Sequence, residues 1–491
     1  MIDTQAIRSK ILDLAMRGQL TEQLPEDGNA EELYQQILEE KQKLIKEGKI
    51  KKEKPLPEIT DEEIPFEIPE NWKWVRLKEL CTKIVDGDHN PPAGVKEATS
   101  YLMLSAQNIN RGTLTNLDNV RYLSADVFEE ENKRTKLEVD DVLLTIVGTI
   151  GRSCVYQGGF NISFQRSVAV ITTLIYSKFL KYAFDIPFIQ NFMIEHATGA
   201  AQLGFYLNKL EKLLIPLPPN AEQKRIVKKI DQAFSVLDTI DKLQAQYADN
   251  LTALKSKLID AAIQGKLTEQ LPEDGTAEEL YKQIQIEKAK IVFERKGRKD
   301  NSILPVDEKV PFEIPKKWKW IRFGETGFFR KGPFGSSLTK SMFVPKSDNT
   351  IKVYEQQHAI KKDHTLGTYY ITKEYFDTSM KGFEVLPGDI IVSCAGTIGE
   401  TYILPDTIER GIINQALMRI TVVPSIDKQF FLYYFDSQLK KSAQDGNGSA
   451  ITNIPPFDVL KNLYFPLPPL AEQKRIVQKL DEILPLCDRL K

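Results

Sequence analysis

The chain has 491 residues, 42% hydrophobic and 27% charged, with a formal net charge of −2; this is an ordinary globular composition with room for about three domains. A balance so near zero excludes wholesale electrostatic binding of nucleic acid and leaves only a localised basic face. The four cysteines (Cys81, Cys154, Cys394, Cys487) show no CxxC spacing and the four histidines form no i,i+4 pair, so neither a disulfide frame nor a metal site is expected.

From the N-terminus, Asp3, Arg8, Lys10, Asp13 and Arg17 crowd the first turns, so no signal peptide is expected. Ile7 to Leu20 (IRSKILDLAMRGQL) reads as a short helix. Pro25-Glu26-Asp27-Gly28 is a turn, and Asp27 or Asn29 is placed to cap a second helix, Ala30 to Lys46. Lys41, Lys43, Lys46, Lys49, Lys51, Lys52 and Lys54 face only Glu47 and Glu53. That run is either a solvated helix end or a phosphate-contacting arm. After a proline-punctuated connector, PFEIPENWKWVRL (Pro65 to Leu77) enters a domain. Trp72 and Trp74 alternate with lysine, a strand period that fills a sheet face and edge; base stacking is the other reading. Further on, Asp140-Asp141 turns into the apolar strand Val142 to Val147, which is strand-sized rather than membrane-sized. The strand ends in GTIG (Gly148 to Gly151), a tight turn needing positive φ, whose amides are also able to approach phosphate. A helical stretch, Ser177 to His196, and an apolar strand into PLPP close the domain.

The next stretch organises the chain. PLPPNAEQKRIV (Pro216 to Val227) opens about forty residues free of proline, with apolar residues at helical steps: Ile226, Ile230, Ala233, Leu237, Ile240, Leu243, Tyr247, Leu251, Leu254, Leu258. Asn220 and Gln223 are spaced as a capping box. At about 1.5 Å per residue this predicts a strut about 60–65 Å long. The sequence then repeats. LKSKLIDAAIQGKL (Leu254 to Leu267) parallels the first helix, and GKLTEQLPEDGTAEELYKQI (265 to 284) matches residues 18 to 37 with three changes in twenty. A second basic run follows (Lys288, Lys290, Arg295, Lys296, Arg298, Lys299), then PFEIPKKWKWIRF (Pro311 to Phe323) and a second domain. That domain has its own apolar strand after Gly388-Asp389, its own GTIG (Gly396 to Gly399) and its own helical stretch (Asp427 to Gln444). PLPPLAEQKRIV (Pro466 to Val477) returns with one change in twelve, and the chain ends part-way down this second copy. Pro485 stands where Ser235 does in the first copy, so a break is expected there.

The C-terminal piece plus the N-terminal piece equals one central strut. This predicts an α+β, pseudo-two-fold molecule with a circularly permuted repeat: two mixed α/β domains joined by two long antiparallel helices in a coiled coil, with Met1 near Lys491. The expected divisions are 1–65, N-terminal helix and arm; 66–219, first domain; 220–311, central helix and arm; 312–469, second domain; and 470–491, C-terminal helix.

No catalytic constellation is present. Asn90-Pro91-Pro92-Ala93 and Asn453-Ile454-Pro455-Pro456-Phe457 look like degraded [DN]PP[YF] motifs of amino-methyltransferases. The first lacks the aromatic, the second has an extra residue, and no glycine-rich turn for S-adenosylmethionine precedes either. HExxH, GxSxG and nuclease carboxylate patterns are absent too. A self-contained modification enzyme and a coiled-coil scaffold without a DNA role stay open as alternatives.

The two PLPPxAEQKRIV segments, the helices after them, the permuted repeat and the two WKW-headed domains resemble the DNA-specificity subunit of type I restriction–modification systems. Asp86-Gly87-Asp88-His89-Asn90-Pro91-Pro92 is similar to the DGxHxxP opening of such domains, and Leu102 to Gly112 to the element after it. Lys331-Gly332-Pro333-Phe334-Gly335-Ser336-Ser337 is similar to another form of that opening, with Val353 to Ile360 following. The resemblance implies a cytoplasmic, non-catalytic chain whose domains each read half of a split asymmetric DNA site. Its partners would be double-stranded DNA, two methyltransferase subunits and two translocase–nuclease subunits, which would carry the S-adenosylmethionine, ATP and magnesium; this chain itself needs no cofactor. Amides and guanidinium make bidentate contacts with base edges. The expected DNA readers are therefore His89, Gln107, Asn108, Asn110 and Arg111 in the first domain, and Lys331, Ser336, Ser337, Gln356, Gln357 and His358 in the second. The expected partner-binding helix residues are Ile226, Ile230, Leu237, Ile240, Leu254, Leu258, Ile476 and Leu480.

Overall fold

The structure, a computed structural model, describes residues 1–52, 54–199, 202–294, 302–307, 309–444 and 457–490. They fall into two units, Met1–Ala245 and Gln246–Lys491. In the first unit the N-terminal helix, Thr4–Met16, starts at Asp3, whose carboxylate accepts the Ala6 N–H at 3.0 Å. It lies antiparallel to the start of the long helix. Gln244 accepts the Ile2 amide at 2.5 Å, Asp241 accepts the Thr4 hydroxyl at 2.5 Å, and Asp238 pairs with Arg8 at 2.8 Å. The arm helix, Ala30–Lys46, is capped by Asn29 as expected, through the Glu32 N–H at 2.9 Å.

A two-stranded ribbon, Lys73–Arg76 against Leu214–Leu217, brings the two ends of the first domain together. Beyond it an antiparallel sheet runs in the order Cys81–Asp86, Val168–Thr173, Val142–Thr145, Ser153–Val155. A three-stranded sheet lies beside it, in the order Arg121–Tyr122, Tyr101–Leu104, Asn161–Phe164. The apolar run at 142 is continuous because both faces are covered. Val142 and Leu144 enter the core shared with the N-terminal and long helices, while Leu143 enters a separate core under the three-stranded sheet.

The second unit repeats the plan. Its ribbon is Lys319–Arg322 with Tyr464–Leu467. Its first sheet runs Gly327–Lys331, Leu417–Val422, Ile390–Ser393, Thr401–Ile403. Its second sheet is larger than its counterpart, with four strands: Tyr370–Thr372, Thr350–Tyr354, Gly411–Ile413, Glu384–Val385. The C-terminal helix, Leu470–Arg489, runs antiparallel to the tail of the long helix, where Lys255 pairs with Asp488 at 2.5 Å.

The long helix, Asn220–Ile263, has 44 residues and is about 66 Å long. Two expectations about helix ends need correction. Gln223 does not reach back to Asn220: its N–H donates to Pro219 O at 3.0 Å, and its side chain is used elsewhere. Gln473 does the same with Pro469 at 3.0 Å, so Leu470 costs the second copy no cap. Pro485 does not end its helix. It stands in the last turns, so it removes one ladder bond near a fraying end. Among the described residues, no helix is long and apolar enough to cross a membrane.

Candidate nucleic-acid interface and its mounting

The duplicated AEQKR peptide builds the same buried hub in each unit. In the first, Glu222 is 0% exposed. It accepts from the Trp72 indole at 2.8 Å, from Gln23 at 2.8 Å and from Thr21 at 3.0 Å. Gln223 accepts the Tyr176 N–H at 3.0 Å, at the start of the helix Ser177–Phe184, and donates to Pro218 O at 2.9 Å. Arg225 grips Asp27 through two bonds of 2.5 Å, and Asp231 accepts from the Tyr182 hydroxyl at 2.5 Å. In the second unit Glu472 accepts from Trp318 at 2.8 Å, Gln270 at 2.5 Å and Thr268 at 3.1 Å. Gln473 accepts the Asp427 N–H at 2.8 Å, Arg475 grips Asp274 twice at 2.6 Å, and Asp481 accepts from Tyr433 at 2.6 Å. The arginine fork holds each aspartate below the usual carboxylate range. Burial pushes Glu472 the other way, up.

Trp72 and Trp318 are thus core residues with a satisfied indole, and Trp74 and Trp320 pack edgewise on Phe66 at 5.0 Å and Phe312 at 4.8 Å. The WKW motifs pack into the mounting of each domain, the reading as sheet-face and edge residues.

The first-domain opening begins where Asp86 ends its strand. His89 is 54% exposed at its side chain, with Nε2 2.7 Å from Asp86 Oδ2; Arg134 holds the other oxygen of Asp86 at 2.5 Å. Gln107, Asn110 and Arg111 are exposed on or beside the short hairpin Ile109–Asn110 with Thr113–Leu114. Arg111 also lines a cleft of about 660 Å³, together with Lys181, Asp185, Arg8 and Asp238. There Lys181 pairs with Asp185 at 2.6 Å, and burial raises the Asp185 carboxyl against the pull of Lys181 and Arg111. Asn108 differs from its expected role. It is 1% exposed, and its amide is spent on Ser105 N (3.0 Å), Thr115 O (3.3 Å) and Asn116 O (3.2 Å). It holds the hairpin and has no free edge for a base.

In the second domain Lys331 and Ser336 are exposed, and Ser337 is half-buried with its carbonyl accepting from Tyr375 at 2.6 Å. Gln357 donates to Glu355 at 2.9 Å. Gln356 is half-buried, and among the described residues its Oε1 has no hydrogen-bond partner. His358 is fully buried; Nδ1 sits 2.8 Å from the Glu355 amide and Nε2 2.7 Å from Leu366 O, so it too is internal. Phe334, 87% exposed at the tip of the opening, was missed as a candidate. Its signal was an aromatic between proline and glycine, where no sheet face can take it.

Of the helix residues expected to meet partners, Ile226, Ile230, Ile476 and Leu480 are 0% exposed and Leu237 is 5% exposed. The four fully buried ones belong to their own units' cores, and Leu237 is buried as well, so these five side chains do not lie on an exposed face of the chain. Ile240 and Leu258 are half-buried, and Leu254 is exposed. In the basic runs, Lys41 and Lys288 donate to the carbonyls of Lys78 (2.8 Å) and Gly324 (2.6 Å), fixing each arm to its domain. Arg295, Lys296, Arg298 and Lys299, the Asn453 to Pro456 stretch and Lys491 lie outside the described residues.

The family described as "Type I restriction modification DNA specificity domain" matches residues 69–246 and 335–490. The chain is 25% identical to the Escherichia coli type I restriction enzyme EcoAI specificity subunit, over 99% of this chain and 90% of that one. It is equally 25% identical to the E. coli EcoEI specificity subunit, with the same coverage. A chain solved in work on assembly and conformational transition of the type I R-M system shares the fold, with a TM-score of 0.54 and 18% identity, over 87% of this chain and 93% of that one. The chain therefore belongs to the type I restriction–modification DNA-specificity family, as a non-catalytic, sequence-specific DNA-binding subunit.

Proposed function

We propose that residues 66–219 and 312–469 are two separate DNA readers, each responsible for one half of a bipartite asymmetric site. Residues 1–65, 220–311 and 470–491 form the frame that carries them. The observation behind this reading is the pair of identical hubs holding two dissimilar domains: the mounting repeats while the exposed loops do not. The readers are His89, Gln107, Asn110 and Arg111 on one side, and Lys331, Phe334, Ser336, Ser337, Gln356 and Gln357 on the other.

The N-terminal and C-terminal helices, antiparallel to the long helix in their own units, are the two pieces of a second, permuted strut. The long helix sets the unspecified spacer between half-sites. Partner subunits for methylation and cleavage assemble on the frame, two methyltransferase copies among them; the exposed Val236 and Leu243 in the first unit, and Tyr247 and Leu254 in the second, suit such contacts. S-adenosylmethionine, ATP and magnesium are assigned to those partners.

Methylome sequencing of cells carrying the complex tests the reading. Replacing 66–219 by another family member's domain should change one half of the methylated motif and leave the other. Simultaneous change of both halves would refute independent reading.

A further inference from the structure

We propose that Glu222, Gln223 and Asp231, with their counterparts Glu472, Gln473 and Asp481, are positioning residues that fix the number of base pairs between the half-sites. The proposal rests on the two-reader function above and adds a second determinant of the spacer to the helix length.

Each hub ties its domain to the frame helix at three points. The glutamate holds the indole at the head of the ribbon, the glutamine holds the first amide of a domain helix, and the aspartate holds a phenol on the next face. Residues 222, 223 and 231 span about 13 Å of helix at about 1.5 Å per residue, and at about 100° per residue they cover about half its circumference. A domain held so widely is able neither to slide nor to turn without breaking a tie. The magnitudes agree with this. One base pair is about 3.4 Å of duplex, whereas the ties are 2.5–3.0 Å long. A slip of one base pair would carry all three beyond hydrogen-bonding range, and Glu222 and Gln223 are 0% exposed, so no water would replace them. The arginine–aspartate fork beside each hub grips the arm loop instead of the domain; the apolar core around Ile226 and Ile230 and the Lys178–Asp231 pair at 3.3 Å also hold the first reader, and the three directional ties set its register on the helix.

The test uses the full chain in complex with its methyltransferase subunits. Trp72→Phe removes the indole donor, and Tyr182→Phe removes the phenol donor with almost no change of volume. Methylation is read over a library in which the two half-sites are separated by spacers from two base pairs shorter to two longer than the native one. Both half-sites should stay the same. The preference for the native spacer over one base pair more or less should fall about tenfold in Trp72→Phe, equivalent to about 1.4 kcal/mol. It should fall in the same direction in Tyr182→Phe and in Trp318→Phe. Uniformly weaker methylation with unchanged spacer preference would overturn the proposal. If Trp72→Phe yields no folded chain, an unchanged preference in Tyr182→Phe overturns it alone. A wild-type complex that methylates no bipartite motif would instead sink the two-reader function, which is a separate result.

Discussion

Gly87 and Gly332 occupy the same place in two otherwise different openings. A Cβ on Gly87 would lie 2.0 Å from Phe164 O, and one on Gly332 would lie 1.9 Å from Asn414 O. Both oxygens are backbone, so the side chain is excluded whatever the φ. Gly87→Ala should destabilise the first domain by about 1–3 kcal/mol and degrade reading of one half-site only; thermal melting and half-site methylation measure the two effects. Gln356 is half-buried, and its amide oxygen, closed off from solvent, has no partner among the described residues, so a side chain that turns outward to a base edge gives up no hydrogen bond at that oxygen. Gln356→Ala should relax the second half-site alone by about 1–3 kcal/mol per affected base pair; a uniform loss over all DNA would show a phosphate contact instead. Arg111 is the open case, since it faces both solvent and the charged cleft with Asp185. Residue type and motif were enough to find the loops that carry these groups. They could not separate Gln107 from its neighbour Asn108, or Gln357 from His358. One residue's shift in a tight turn moves a side chain from solvent to core, and no period marks it.

The helices and apolar strands were legible because their periods are strong: the step of three and four from Ile226 to Leu258, and the continuous run at Val142. The helix ends were less so. A side-chain cap at Asn220 was the natural reading of AEQ, but burial gives the glutamine a better use in holding the domain. The hub itself has no sequence period; its members come from residues 21–27, 72, 176–182 and 222–231. Only the repetition of residues 21–27, of the WKW head and of the AEQKR peptide hinted that they meet. Its chemistry makes a pH prediction. Asp27 and Asp274 are depressed by their arginines, so their stabilisation is full above the ordinary aspartate value of 3.8 and is lost as pH falls through their lower folded values. Glu472 is raised, so its contribution is full below 4.5 and is lost as pH rises through its folded value. The urea midpoint of Asp274→Asn should therefore lie below wild type at neutral pH and converge with it in strong acid. A gap that persists unchanged into acid would mean that the ion pair is not what the substitution removes.

For the molecule as a whole, the plan of two domains on a repeated frame could be read from the sequence, while the arrangement of strands within each domain could not. Non-local pairings such as Leu102 with Ile162 leave no local signature. The long helix as a ruler makes the largest prediction. Four residues inserted next to Asp249 add about 6 Å and roughly one turn. This place is chosen because Gln244 is already bonded to Ile2 at 2.5 and 3.1 Å. The spacer should lengthen by one or two base pairs with both half-sites unchanged; an unaltered spacer at full activity would remove the helix from that role.

The hubs also state what a newcomer must bring. The frame supplies the acceptors for three donors of the domain: one indole N–H at its head, one amide at a helix start and one phenol a turn and a half further on. These demands concern the base of the domain and leave its loops alone. The sheets behind the loops already differ between the two units, three strands in one and four in the other. On the proposed two-reader function the chain would be a holder with a standard fitting, in which the vocabulary of readable DNA words is free to change as long as the plug does not.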